Sequence, residues 1–284
     1  MVKKEVPTFV KWAGGKKQLL EQFKSIFPDK IERYHEPFIG GGAVAFYVLK
    51  NHKPKEIYLS DINEELTTCL NVIKNDVDAL VRELHKLKAE HGKEQYYKVR
   101  AKSPERLSAV ERAARFIYLN KTCFNGLYRV NSKGGFNVPI GSYVNPSIFD
   151  ETELREISEL LKDVIIETKQ FYEILNHAKK GDFIYFDPPY YPLNKTSSFT
   201  TYTKEAFLEK EQEKLAEVFK ELDKKGCKVM LSNSNTSFIK KLYAGYNVKI
   251  VKAARMINCD GKGRGKINEI VVTNYSNTKE QGVL

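Results

Sequence analysis

The chain has 284 residues, 42% of them hydrophobic and 29% charged, which is the balance of an ordinary globular protein. Its longest wholly apolar run, residues 43–49, is far short of the roughly 20 needed to span a bilayer. The N-terminal Met1-Val-Lys-Lys-Glu-Val-Pro7 lacks the apolar core of a secretion signal, so no membrane partner and a cytoplasmic location are expected.

The formal net charge of +11 is concentrated in two segments. Nine basic residues between 95 and 145 face only Glu105 and Glu111, and five between 252 and 266 face only Asp260. Such concentration, among Gly, Asn and aromatic residues, favours a polyanion partner over a merely solvated face.

In chain order, a short strand at 34–35 leads into Glu36-Pro-Phe-Ile-Gly-Gly-Gly42 and a helix starting near Ala43. Three glycines at a strand–helix turn let a ligand approach the backbone and meet amide groups at a helix N-terminus. The spacing is neither GxGxxG nor GxxxxGK[ST], so neither dinucleotide nor nucleoside triphosphate is indicated. The strand at 56–60 ends in Asp61-Ile-Asn63, about 20 residues on, where an acid can accept hydrogen bonds from ribose hydroxyls. A helix cap is the competing reading of that acid.

From 64 to 162 the pattern is almost purely helical, broken by 124–143, whose two alternating runs around Ser132-Lys-Gly-Gly135 predict a β-hairpin. Apolar strands follow at 164–167, 183–186, 227–231, 246–251 and 267–275, and a helix through Leu215, Val218, Phe219 and Leu222 ends at Gly226. Alternating strands and helices predict an α/β sheet with helices on its faces. The expected domains are catalytic segments 1–63 and 163–284, with 64–162 inserted between them.

The strand at 183–186 ends in Asp187-Pro188-Pro189-Tyr190. Adenine's exocyclic amine is a poor nucleophile because its lone pair is delocalised into the ring. The Asp187 carboxylate and a carbonyl of the rigid Pro-Pro segment could accept both N–H groups and localise that pair, while Tyr190 stacks on the base. Such a base must first leave its duplex stack.

Taken together, Lys11-Trp-Ala-Gly-Gly-Lys16, Glu36-Pro-Phe-Ile-Gly-Gly-Gly42, Leu59-Ser-Asp-Ile-Asn63 and Asp187-Pro-Pro-Tyr190 resemble the Dam-type, alpha-group N6-adenine DNA methyltransferases. The resemblance runs from about Phe9 to Tyr275. It implies a Rossmann-like α/β methyltransferase sheet with an inserted helical recognition domain, S-adenosyl-L-methionine as cofactor, and double-stranded DNA, within GATC, as partner. Trp12, Ala13, Gly14, Lys16, Glu36, Pro37, Phe38, Gly40, Asp61, Ile62, Phe171 and Asp187 would bind the cofactor. Gln170 stands where the family often has an acid or Ser. Asp187, Pro188, Pro189 and Tyr190 would be catalytic.

By the same resemblance, Lys11, Phe124, Asn125, Leu127, Arg129, Asn131 and Pro139 would touch DNA, with Arg129 on a guanine and Leu127 and Pro139 beside a thymine methyl. Packing of the hairpin is the competing role for Phe124 and Leu127. The segment 197–202 resembles the mobile loop around the flipped base, 231–234 ends a strand on the same sheet edge, and 261–266 is a basic loop suited to phosphate.

No proline precedes a cysteine, as cytosine C5 chemistry would need. Asp187 replaces the Ser usual for cytosine N4 enzymes and the Asn typical of protein-glutamine enzymes. No His or Cys cluster has metal-ligand spacing, so no metal is expected. A monomer is expected. The remaining alternative is a catalytically silent, sequence-specific DNA-binding protein with a methyltransferase fold.

Overall fold

The computed structural model describes residues 6–131, 134–193, 207–254 and 266–276. Its centre is a seven-stranded sheet in the order β3-β2-β1-β4-β5-β7-β6. The strands are β1 (Arg33–Glu36), β2 (Glu56–Asp61), β3 (Ile165–Thr168), β4 (Phe183–Phe186), β5 (Lys228–Ser234), β6 (Asn247–Ala254) and β7 (Lys266–Thr273). All pairings are parallel except those of β7, which is antiparallel to both β5 and β6.

Each strand anticipated from apolar runs is present. β4 is buried along its whole length, as expected where both faces are covered. β5 runs past the apolar stretch 227–231 to Ser234, the strand end expected from 231–234.

The strand order reverses between β1 and β4, which pair through Tyr34–Phe183 and His35–Ile184. Ligands of open α/β sheets bind at such a switch point, beyond the carboxyl ends of the strands. Here those ends deliver the glycine-rich turn after β1 and the Asp187 segment after β4 to one place.

Helix α1 (Leu20–Phe23) precedes the sheet and α2 (Ala43–Asn51) follows the glycine-rich turn. The stretch expected to be helical forms α3 (Glu64–Asn75), α4 (Val77–Ala89), α5 (Lys93–Ala101), α6 (Ala109–Thr122) and α7 (Glu151–Leu161). α8 (Glu209–Lys224) and α9 (Ser237–Leu242) complete the fold, α8 ending before Gly226 in the left-handed conformation. α3 packs on β2 and β3 as well as on α6, so its buried side chains join the core under the sheet to the helical insertion. No described helix is long and apolar enough to cross a membrane.

The segment 124–143 is a looser hairpin than expected. It folds back through two isolated antiparallel bridges, Cys123–Ile140 and Val130–Phe136, rather than through continuous strands. The Asn131 amide donates to the Gly135 carbonyl at 2.9 Å, and the Asn137 amide donates to the Arg129 carbonyl at 3.0 Å. Pro139 lies in the returning arm, where it can accept but not donate; its carbonyl takes the Phe124 amide at 2.9 Å.

Candidate active site

Lys16 begins the short helical turn Lys16–Leu19, and its ammonium is buried. It lies 2.8 Å from Asp187 Oδ1, donates to the Gly14 carbonyl at 2.5 Å, and sits 4.6 Å from the centre of the Tyr190 ring. Burial pushes the Asp187 carboxyl up to about 6, against the pull of Lys16. Among the described residues no donor meets Oδ1 in hydrogen-bonding geometry, so the Lys16 contact is an ion pair by distance.

Two carboxylates flank this pair. Glu36, at the end of β1, is buried and accepts the Tyr34 hydroxyl at 2.6 Å; burial holds its carboxyl well above the usual range. Asp61, at the end of β2, accepts the Gly40 amide at 3.1 Å and the Asn63 amide at 3.0 Å. Burial raises Asp61 to about 6 despite these backbone donors. The helix cap weighed against its functional reading falls to Asn63, whose Oδ1 takes the Glu65 and Leu66 amides at the start of α3. Asp61 instead faces the glycine-rich turn.

Trp12 explains that turn. A Cβ on Gly40 would lie 2.7 Å from the indole Nε1, and one on Gly41 would lie 2.9 Å from Trp12 Cβ. Gly40 also has φ +48, so a side chain there would meet both strain and overlap. Ala13 is half-buried and Pro37 buried within these loops. Ile62, just past β2, is 45% exposed. Phe171 sits a little apart, buried and stacked on Phe38 with ring centres 5.4 Å apart, and Phe207 packs edge-on against both.

The Asp187-Pro-Pro-Tyr190 backbone is held from below by residues the motifs did not reveal. Gln212 of α8 is fully buried and donates to the Pro189 carbonyl at 2.9 Å. Asn233 donates to Gln212 Oε1 at 2.9 Å and accepts the Tyr191 amide at 3.2 Å. The Tyr190 hydroxyl donates to Glu269 of β7 at 2.9 Å. Asn233 lies in the strand end singled out from sequence. A buried Gln on an apolar helix face was the one available hint of Gln212, and Glu269 left none.

Of the residues expected to touch DNA, all but Lys11 lie within 64–162, and Lys11 is joined to that segment through Asn120. Phe124 is 49% exposed, although it is a large aromatic, and Asn125 takes φ +55, a strained value for a residue with a side chain. Leu127 is half-buried against the core, so hairpin packing is part of its role. Arg129 is exposed and donates to Asn137 Oδ1 at 2.8 Å; Pro139 is exposed too. Asn131 Oδ1 accepts the Gly135 amide at 3.0 Å. The Lys11 ammonium lies 3.9 Å from the centre of the Tyr143 ring. Ser132, Lys133, 197–202 and 261–265 lie outside the described residues.

The basic cluster is partly spent inside the fold. Arg112 pairs with Glu64 and Glu65, and buried Arg115 donates to the Val99 and Arg100 carbonyls. Lys98 pairs with Glu94 on the exposed surface of α5. The surface left for a polyanion is therefore less positive than the sequence count suggests.

Residues 12–257 match the model for the D12 class of N6 adenine-specific DNA methyltransferases. The chain is 51% identical to the type II methyltransferase M.MjaIII of Methanocaldococcus jannaschii, over 95% of this chain and 100% of that one. It is 43% identical to the type II methyltransferase M1.LlaDCHI of Lactococcus lactis subsp. cremoris, over 95% of each. To the DNA adenine methylase of Escherichia coli K12 it is 34% identical, over 93% of each. With four ordered motifs converging at one switch point, and near-complete coverage of these relatives, the chain belongs to the D12-class N6 adenine-specific DNA methyltransferases.

Proposed function

We propose that this DNA adenine methyltransferase uses S-adenosyl-L-methionine to methylate the adenine N6 amine within GATC of duplex DNA, flipping the base out and transferring the methyl group directly. The observation that carries the reading is the half-buried Asp187 carboxylate, paired with buried Lys16 at 2.8 Å and followed by Tyr190 at the switch point of the sheet.

The surrounding residues suit the cofactor. Gly40 has no room for a side chain, Asp61 offers a half-buried carboxylate at the next strand end, and Ile62 is exposed beside it. Trp12, Gly14 and Lys16 would line its methionine portion with Asp61 nearby, and Phe38 and Phe171 its adenine. When bound, S-adenosyl-L-methionine supplies an activated methyl group on a cationic sulfur.

This chain's residues prepare the nucleophile. Asp187 accepts one N–H of the adenine amine and the Pro188 carbonyl the other, since the Pro189 carbonyl is engaged by Gln212. Both bonds draw the lone pair out of the ring and towards the methyl carbon. The ammonium of Lys16 keeps Asp187 ionised in a buried place, and Tyr190 stacks on the flipped base, whose extrusion costs a few kcal/mol. Residues 64–162 act as the recognition domain, Phe124 and Asn125 entering the duplex and Arg129 reading a guanine. The enzyme works as a monomer in the cytoplasm and needs no metal.

The test is methylation of plasmid DNA with labelled S-adenosyl-L-methionine, followed by digestion with nucleases that respond oppositely to methylated GATC. Label in adenine with GATC protection is expected, and Asp187→Asn should remove it while the protein stays folded. Label without that protection would refute the GATC reading alone. No label, in protein that binds cofactor and DNA, would favour the silent DNA-binding alternative.

A further inference from the structure

Asn120 occupies the last turn of α6 and is fully buried, a place where an apolar residue would otherwise pack. Its carboxamide is used from both ends. Oδ1 accepts the Lys11 amide at 2.7 Å, and Nδ2 donates to the Lys11 carbonyl at 2.8 Å and to the Gly126 carbonyl at 3.1 Å. One side chain thus pairs both main-chain groups of Lys11, as a neighbouring strand would. It also pins a turn that α6 itself leads into.

The two segments joined here are the two halves of the site. Lys11 precedes Trp12, whose indole lies against Gly40, and the same loop places Lys16 on Asp187. Gly126 closes the turn bearing exposed Phe124 and left-handed Asn125. The segments also touch directly, for a Cβ on Gly126 would come within 2.5 Å of Lys11 Cβ. No other side chain of this length offers one acceptor and two donors in a plane: Asp lacks the donors and Ser the reach.

We infer that Asn120 is a positioning residue that couples cofactor binding to DNA binding, resting on the assignment of the Trp12–Lys16 and Phe124–Leu127 segments made above. Ordering the Lys11 loop around the cofactor sets the Gly126 carbonyl, and through it the turn that enters the duplex. Settling that turn on DNA orders the cofactor loop in return. The two effects are reciprocal, because linkage between binding sites is symmetric.

The test measures the affinity of the full chain for a short GATC duplex with and without saturating S-adenosyl-L-homocysteine, and the converse. The natural chain is expected to bind each ligand about tenfold more tightly when the other is present, within the usual span for coupled sites. Asn120→Ala and Asn120→Asp should each lower that factor to about twofold or less while the single-ligand affinities change little. Asn120→Asp keeps the shape, and serves if thermal melting shows Asn120→Ala to be unfolded.

A folded Asn120 variant with the full factor, or a natural chain with a factor of one, would overturn the coupling. Trp12→Ala and Phe124→Ala separate this from failure of the assignment beneath it. If neither variant weakens its own ligand, the assignment falls and the coupling with it. If both do and Asn120→Ala stays fully coupled, the coupling alone falls.

Discussion

Tyr190 and Glu269, 79 residues apart, meet where the Asp187 segment crosses β7, the tyrosine hydroxyl donating to Glu269 Oε2 at 2.9 Å. The ring proposed to stack on the target base is thus held by the antiparallel strand of the sheet. Burial and the neighbouring carboxylates of Asp187 and Glu269 hold the Tyr190 phenol well above its usual range, so the hydroxyl stays a donor. Tyr190→Phe and Glu269→Ala should each lower kcat about tenfold, as for loss of a charge-assisted hydrogen bond of ~1.5 kcal/mol. The double variant should be little worse than the poorer single one, because both remove one interaction. Multiplicative losses in single-turnover rates would show instead that the two residues act independently.

The pH dependence follows from Asp187 at about 6. The carboxylate accepts an amine hydrogen more strongly than the neutral acid, whose proton turns one oxygen into a donor, so single-turnover activity should be full above this value and fall by up to tenfold per pH unit below it. The stability contribution has the opposite sign. Burial raises the folded-state value above the unfolded one, so this group favours folding at low pH, and that contribution is lost as pH rises through about 6. Asp61, also raised to about 6, adds to the same trend. An acid limb near pH 4 in the rate profile would contradict the burial of Asp187.

Gly126 combines φ +63 with the lack of room beside Lys11. Gly126→Ala should cost roughly 1–2 kcal/mol from the left-handed conformation alone. The overlap with Lys11 should displace the Phe124 turn further. DNA affinity should therefore fall more than cofactor affinity, as titration calorimetry with each ligand would register. Equal losses in both would mean a general destabilisation.

Arg129 is exposed, and its Nε donates to Asn137 Oδ1 at 2.8 Å. Arg129→Ala should lower kcat/KM on GATC duplexes by an amount worth about 1–3 kcal/mol and relax the preference for guanine at one position. A uniform loss across all sequences would assign Arg129 to phosphate instead, and competition between substituted duplexes separates the two.

The sequence alone determined the family resemblance and the strand ends at which its motifs stand. Glycines, prolines and carboxylates at the ends of apolar strands are dictated by local sterics, and local sterics can be read residue by residue. Strand β4 and the Asp187 segment, the Gly40 turn and the helical run 64–162 were legible for that reason.

The tertiary structure decided what lies beside them. The order β3-β2-β1-β4-β5-β7-β6 places β7 next to β5, bringing Glu269 near Tyr190 although no spacing in the chain connects them. Asn120 looks like one more polar residue on a helix until its fold brings Lys11 and Gly126 to its two ends. The pairing of Arg112 with Glu64 and Glu65 likewise removes charge that a linear count assigns to the surface. Apart from Asn120–Gly126, such contacts join residues 47 to 109 positions apart, and periodicity carries no information on partners at that range.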